Sequence, residues 1–359
     1  MKAFFMIDRL VQDKIKMPLP VKTKTCWRGN SFYKKFNAEY AECLSCGTLV
    51  ALKPLSDDQL LVKNDESDFY GKKYWLDHQK EDLGFPDIYA RSRNDLTERN
   101  LHWFKVLLKY KIPPSSVLEL GCAHGSLVAL LELAGFSASG VEMSPWVAEF
   151  GQKTFGISVQ SGVVESLNIL SGSLDVIALM DVLEHLPDPI ATMSHCLKLL
   201  KPDGLLLIQT PQFKEKMNYD ELFKTKSAFL GQLKSDEHLF LFTEHSVAEL
   251  FQRLGVNHLR FEQAIFAHYD MFFVVSRTPL EANTSEQVDS ALMATPNGRF
   301  AQALLDIRER ELGLTMRWLE SEQDRAARLV QIETLTKIIQ DSEQKKVGKY
   351  SLFHKLTTR

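Results

Sequence analysis

Glu119-Leu120-Gly121-Cys122-Ala123-His124-Gly125-Ser126 follows an apolar run at 117–120 and leads into an amphipathic stretch at 125–134. A strand that ends in a glycine-rich turn and opens a helix brings backbone close to a ligand. Glycine reaches turn conformations closed to other residues, and a helix N-terminus presents unpaired N–H groups. A nicotinamide-dinucleotide turn requires a third glycine three residues after the second. That register falls at Leu127 or beyond here, and the middle small residue is Ala123.

Working outward, short apolar runs at 138–141, 159–160, 176–180 and 205–208 alternate with amphipathic stretches at 145–154 and 189–200. Such alternation predicts a parallel sheet covered by helices on both faces. A helix is expected around 245–254. Strands at 259–266 and 271–276 come next, joined through His268-Tyr269-Asp270, and so short a link implies an antiparallel hairpin closing the sheet. The expected fold is therefore α/β, a doubly wound Rossmann-like sheet of seven strands over 115–278. Glu142, 21 residues after Gly121, ends the second of these strands, where a carboxylate can accept both hydroxyls of a ribose.

The remaining chain reads as attachments to this core. Of 359 residues, 45% are hydrophobic, and 43 Lys and Arg nearly balance 46 Asp and Glu. This excludes a disordered chain and argues against a dedicated nucleic-acid binder. No apolar run is long enough to span a membrane, and the five cysteines suit a reducing cytoplasm. Residues 1–69 comprise a basic arm, with nine Lys or Arg in 1–36, and a region with Cys26, Cys43 and Cys46. Structural zinc takes four ligands, two from each Cys-x-x-Cys knuckle. The first knuckle ends in Gly29 instead of a second thiolate, so a degenerate ribbon is expected, with zinc at the three cysteines as the alternative. Residues 70–114 read as a helical lid or connector and 279–299 as a linker. At 300–346 an amphipathic helix repeats with a 21-residue offset, Leu314-Thr315 against Leu335-Thr336. Twenty-one residues are three heptads, which predicts a coiled coil, a homo-oligomer or a partner helix. Residues 347–359 form a tail.

Two further motifs sharpen the reading: Asp181-Val182-Leu183-Glu184-His185-Leu186-Pro187-Asp188-Pro189 after the fourth strand, and Leu199-Leu200-Lys201-Pro202-Asp203-Gly204 before the fifth. With the glycine turn and Glu142, they make the chain resemble the class I S-adenosylmethionine-dependent methyltransferases, strongly over 115–276. Upstream it is similar to sugar-modifying members with an N-terminal zinc ribbon. The C-terminal repeat resembles helical extensions of polysaccharide-assembly enzymes. The resemblance implies S-adenosylmethionine as cofactor, with Gly121, Ala123 and Gly125 under its methionine moiety and Glu119 organising that turn and the ammonium. Glu142 would hold the ribose, and Asp181 and Val182 would line the site behind the sulfonium. An acidic residue usually faces the adenine after the third strand. Val163 stands there, which makes Glu165 a shifted candidate.

Methyl transfer to an alcohol also needs a proton acceptor. His185 and His238 are the candidate catalytic bases, being placed after the fourth and fifth strands. The expected activity is methylation, at oxygen, of a small-molecule or carbohydrate acceptor, in polysaccharide or secondary-metabolite biosynthesis. A phenolic or quinone-precursor acceptor is the alternative within enzymes. A cofactor-binding scaffold assembled by the C-terminal helix is the alternative outside them.

Overall fold

The computed structural model describes residues 25–31, 33–81 and 84–357, with side chains through residue 345. The basic arm expected over 1–36 therefore lies, through residue 24, outside the described residues. The chain divides into two units, Met1–Gln302 and Ala303–Arg359.

The larger sheet contains β4 (Ser116–Leu120), β5 (Ser137–Glu142), β6 (Val159–Ser161), β7 (Leu174–Met180), β8 (Leu200–Pro211), β10 (His258–Glu262) and β11 (Asp270–Ser276). Its order is β10-β11-β8-β7-β4-β5-β6. Pairing is parallel from β6 through β8, while β11 runs antiparallel to both β8 and β10. This is the seven-stranded, hairpin-closed sheet expected from sequence. The central strands are almost continuously apolar because both faces are covered, and all seven residues of β11 are buried. β4 lies between β5 and β7, so chain direction along the sheet reverses there. The crevice at its carboxyl end is where such sheets bind ligands.

Local signals explain most boundaries. Ser144 and Asp188 cap the helices Pro145–Phe155 and Pro189–Leu199, each followed by proline at the first helical position. The connector over 70–114 is several helical pieces, among them Tyr74–His78, Ile88–Asp95 and Leu101–Tyr110. The break contains Pro86, which disfavours helical backbone in the residue before it.

The stretch read as a linker requires correction. Ser285–Met293 is helical, opened by a capping box in which Thr284 and Gln287 exchange side-chain bonds with each other's N–H. The Thr-x-x-Gln signature was present in the sequence. Asn283 also bonds the carbonyls of Lys109 and Leu108, so this segment is fixed to the helix Leu101–Tyr110. The last helix runs Pro296–Thr357, beginning before 300 and continuing past 346.

A second sheet takes β1 (Tyr33–Lys35), β2 (Tyr40–Cys43) and β3 (Leu49–Ala51) from the cysteine region and adds β9 (Phe240–Leu241) from the segment after β8. β3 and β9 pair antiparallel, Leu49 opposite Leu241. No helix among the described residues is long and apolar enough to cross a membrane.

Candidate functional site

The turn after β4 places Gly121, Ala123 and Gly125 at φ of 62°, 48° and 76°. A Cβ on Gly121 would lie 2.7 Å from Val182 Cγ2, and one on Gly125 would strike Ile157 Cδ1. Backbone conformation and close approach thus both require glycine at these two positions. Ala123 occupies the left-handed region with a Cβ, at a cost of about 1–2 kcal/mol. Its N–H donates to Glu142 Oε2 at 3.0 Å, and the N–H of Ser144 donates to Oε1 at 3.1 Å. An ionised carboxylate offers about four lone-pair sites, so Glu142 keeps capacity for a ligand. Burial pushes its carboxyl up, while these backbone bonds act the other way.

Two cavities meet over this turn. One, of about 420 Å³, is mainly apolar and is lined by Leu60, Val141, Glu142, Val163, Glu165 and Leu186, among others. The other, of about 180 Å³, is polar and is lined among others by Arg99, Glu119, Glu184, His238 and Asp270. Gly121, Asp181, His185, Tyr74 and Trp75 border both. The sequence candidates are therefore brought together, with Glu142 on the apolar side of the junction, His238 on the polar side and His185 at the junction itself. Glu165 stands at the edge of the apolar cavity, exposed, and accepts from the Thr192 hydroxyl at 2.6 Å.

Glu119 is buried, and its Oε2 has no hydrogen-bond partner among the described residues. Burial pushes its carboxyl well up, and the nearby Glu142 adds to the shift. An orphaned buried carboxylate oxygen is costly, and an ammonium group is a suitable partner. This orphaned oxygen, the open lone pairs on Glu142 and the glycine cradle all fit S-adenosylmethionine.

Asp181 occupies left-handed backbone at φ 58°. Gln209 donates to its Oδ1 at 3.0 Å and Arg99 to Oδ2 at 3.3 Å. The Trp103 indole in turn donates to Gln209 Oε1, which fixes the amide orientation. Val182 packs over Gly121.

The His185 and His238 rings are 4.9 Å apart and edge to face. His185 Nδ1 lies 2.9 Å from the Glu237 carbonyl and 3.0 Å from the Tyr70 hydroxyl, while His238 Nδ1 lies 2.8 Å from the Gln232 carbonyl. Burial lowers the pKa of both rings; for His238 the neighbouring His185 contributes as well.

Sequence reasoning missed Arg99, Glu184, Glu237 and Asp270. Glu184 lay inside a motif already singled out. The other three come from separate elements, and only folding brings them together. Burial raises Asp270 to about 9, with Asp181 and Glu184 adding their charge. Glu237 accepts from the Tyr74 hydroxyl and pairs with His78, each at 3.0 Å. His124, within the turn, is buried against Asp95 at 3.1 Å.

In the cysteine region, Cys26, Cys43 and Cys46 gather their sulfurs within 4.8 Å of one another. Both knuckle turns are retained: Gly29 N–H bonds the Cys26 carbonyl and Gly47 N–H the Cys43 carbonyl. Cys26 and Cys46 are hydrogen-bonded at 3.5 Å. Three thiols could hold zinc, but the position of a fourth is taken by Gly29.

Comparison with known proteins gives the following likenesses. Residues 89–260 match a family model described as a methyltransferase domain. A ubiquinone biosynthesis O-methyltransferase of Xanthomonas campestris pv. campestris (strain B100) is 32% identical over 111 residues, 29% of this chain and 46% of that protein. A protein of the same name from Pseudomonas aeruginosa (strain LESB58) is 28% identical over 142 residues, 38% of this chain and 57% of that one. The chain thus spans about half the length of the curated relatives it matches. Among solved structures, an S-adenosylmethionine-dependent methyltransferase from Archaeoglobus fulgidus is 16% identical, covering 50% of this chain and 93% of that one, with a TM-score of 0.40.

Proposed function

Because residues 89–260 match a methyltransferase-domain model, whose class I members use S-adenosylmethionine, we propose that this protein methylates a phenolic oxygen of a small aromatic acceptor, a quinone precursor. One observation carries the reading: the apolar cavity with Glu142 and the polar cavity with His185 and His238 join at Gly121 and Asp181. The adenosine would occupy the first cavity, the methionine ammonium would face Glu119, and the sulfonium would lie at the junction. The acceptor would approach through the second.

The cofactor supplies an activated methyl group, which moves by in-line displacement. The protein's contribution is position and exclusion of water, and a near-attack geometry can account for roughly 7–11 kcal/mol. Val182 and the Tyr74 and Trp75 rings border the junction and would keep it dry. The acceptor hydroxyl must also lose its proton, and the neutral imidazoles of His185 and His238 border the cavity that would hold it. Oxygen and a quinone precursor are favoured over a polysaccharide intermediate by the printed names of the relatives.

Calorimetry with S-adenosylhomocysteine should show one site per chain. Transfer of labelled methyl should then favour catechol-type phenols over free or nucleotide-linked sugars. Absence of S-adenosylhomocysteine binding would remove the methyltransferase reading. Preferential labelling of a sugar would move the acceptor to the carbohydrate class.

A further inference from the structure

Residues 56–72 lie between β3 and the helix Tyr74–His78, upstream of the stretch 89–260 that matches the methyltransferase model. The segment is a strap folded on its own side chains. Asp68 Oδ2 accepts from the N–H groups of Lys63 and Asn64 at 2.6 and 2.7 Å, and the Lys72 N–H donates to the Asp65 carbonyl at 2.7 Å. A Cβ on Gly71 would strike that carbonyl oxygen, so the loop closes on itself only with glycine there.

One carboxylate fastens the strap to the larger sheet. Asp65 Oδ1 accepts from the Ser144 hydroxyl at 2.5 Å and Oδ2 from the Trp146 N–H at 3.0 Å, at the start of the helix Pro145–Phe155. The unpaired N–H groups and dipole of a helix start favour a carboxylate in that position. The Ser144 N–H in turn donates to Glu142 Oε1, and Glu142 Oε2 accepts from Ala123 in the glycine turn. A continuous chain of hydrogen bonds therefore runs from the strap through Glu142 to the turn.

Thus fastened, the strap places Leu60, Leu61 and Tyr70 on the wall of the apolar cavity. Leu60 and Tyr70 are buried in an apolar cluster that also contains Val141 and Val164. Leu61 differs: it borders the same cavity yet is 39% exposed. An apolar side chain left open beside an apolar cavity gains stability when a ligand's apolar face covers it. We infer that the strap 56–72 is the outer wall of the cofactor site, with Leu60 and Leu61 covering the adenosine and Asp65 as the positioning residue that holds the strap and Glu142 together. The inference rests on the transfer reading above for the identity of the ligand. Asp65 acts through Ser144 and the strap, so losing its charge frees the wall and speeds ligand release more than it slows entry.

The test is stopped-flow binding and release of S-adenosylhomocysteine on the full chain, with hydrogen exchange at 56–72 followed by mass spectrometry with and without the ligand. In the parent, the ligand should slow exchange across 56–72. Asp65→Asn should release the ligand at least about fivefold faster and reduce that protection, with association little changed. Leu61→Ser should weaken binding of S-adenosylhomocysteine and of adenosine alike, at least about threefold, with the melting temperature of the free protein unaltered. Release and affinity matching the parent in both variants, or no ligand-dependent protection at 56–72, would overturn the inference and leave the transfer reading standing. Weaker binding in Asp65→Asn that tracks a lower melting temperature, with Leu61→Ser like the parent, would assign Asp65 to fold support and overturn it as well. No S-adenosylhomocysteine binding by the parent would remove the transfer reading, whereas adenosine binding weakened in Leu61→Ser would still support the wall.

Discussion

The Tyr40 hydroxyl donates to the main-chain carbonyl of His238 at 2.8 Å, across 198 positions of sequence. Tyr40 is fully buried on β2, and His238 stands two residues before β9, which joins the same small sheet. The cysteine region therefore holds the backbone of a residue that lines the polar cavity. Removing this hydroxyl leaves a buried carbonyl unpaired, which costs about 1–3 kcal/mol. Tyr40→Phe should lower the melting temperature and reduce kcat, leaving S-adenosylhomocysteine affinity unchanged. Equal loss of cofactor affinity would show that the contact supports the whole domain instead.

Glu142 serves the turn through its bonds to the N–H groups of Ala123 and Ser144, and the ribose role is part of the proposed function. Glu142→Ala removes a buried carboxylate that accepts two backbone N–H groups, and each such bond to a charged group contributes about 1.5–3 kcal/mol. S-adenosylhomocysteine should bind at least about tenfold more weakly by calorimetry. Unaltered affinity would withdraw the ribose role.

Asp95 gives the protein an acid-sensitive element. Burial opposes its ionisation, yet the hydrogen bond to His124 and the charges of Arg91 and Arg99 hold its pKa at about 2, below the usual 3.8. A depressed carboxyl contributes stability that is present above the unfolded value and lost as pH falls towards the folded one. The window is therefore about pH 4 down to 2, and the contribution roughly 2 kcal/mol. Urea unfolding should show Asp95→Asn destabilised at pH 6, with the gap to the parent closing below pH 3. A gap that persists at pH 2 would assign the loss to packing.

Zinc bound by thiols should fall well below one equivalent, because Gly29 occupies the fourth-ligand position. A Cβ there meets nothing within 4 Å, so Gly29→Cys has room despite its φ of 79°. That variant should raise the zinc released by a thiol-modifying mercurial to about one per chain. Full release from the parent would favour a three-thiolate site completed by another ligand.

Self-association through 300–346 is proposed from the three-heptad repeat, and Leu312, Trp318, Leu319, Leu335 and Ile338 are all exposed along the helix. Light scattering of the chain with and without 300–359 should show a multiple of the 41.0 kDa mass reduced to a monomer. Equal stoichiometry in the two would reject the coiled coil.

The cofactor half of this protein was legible in its sequence alone. Gly121, Gly125 and Glu142 stood out because a tight turn, a helix start and a strand end impose residue types within a short span of chain. The same local chemistry placed the strands and their hairpin, whereas the cap between Thr284 and Gln287, inside a stretch read as linker, emerged only in the structure. The polar cavity took its form from tertiary packing. Arg99, Glu237 and Asp270 have no common spacing: they come from the helical segment Leu96–Asn100, the stretch before β9 and the start of β11, and they line one cavity. β9 has only two residues, too short for a periodic signal, and exists because β3 supplies its hydrogen-bond partners. Chemistry shared by neighbouring residues can be read along the chain, whereas a site assembled from distant ones depends on where the sheet carries them.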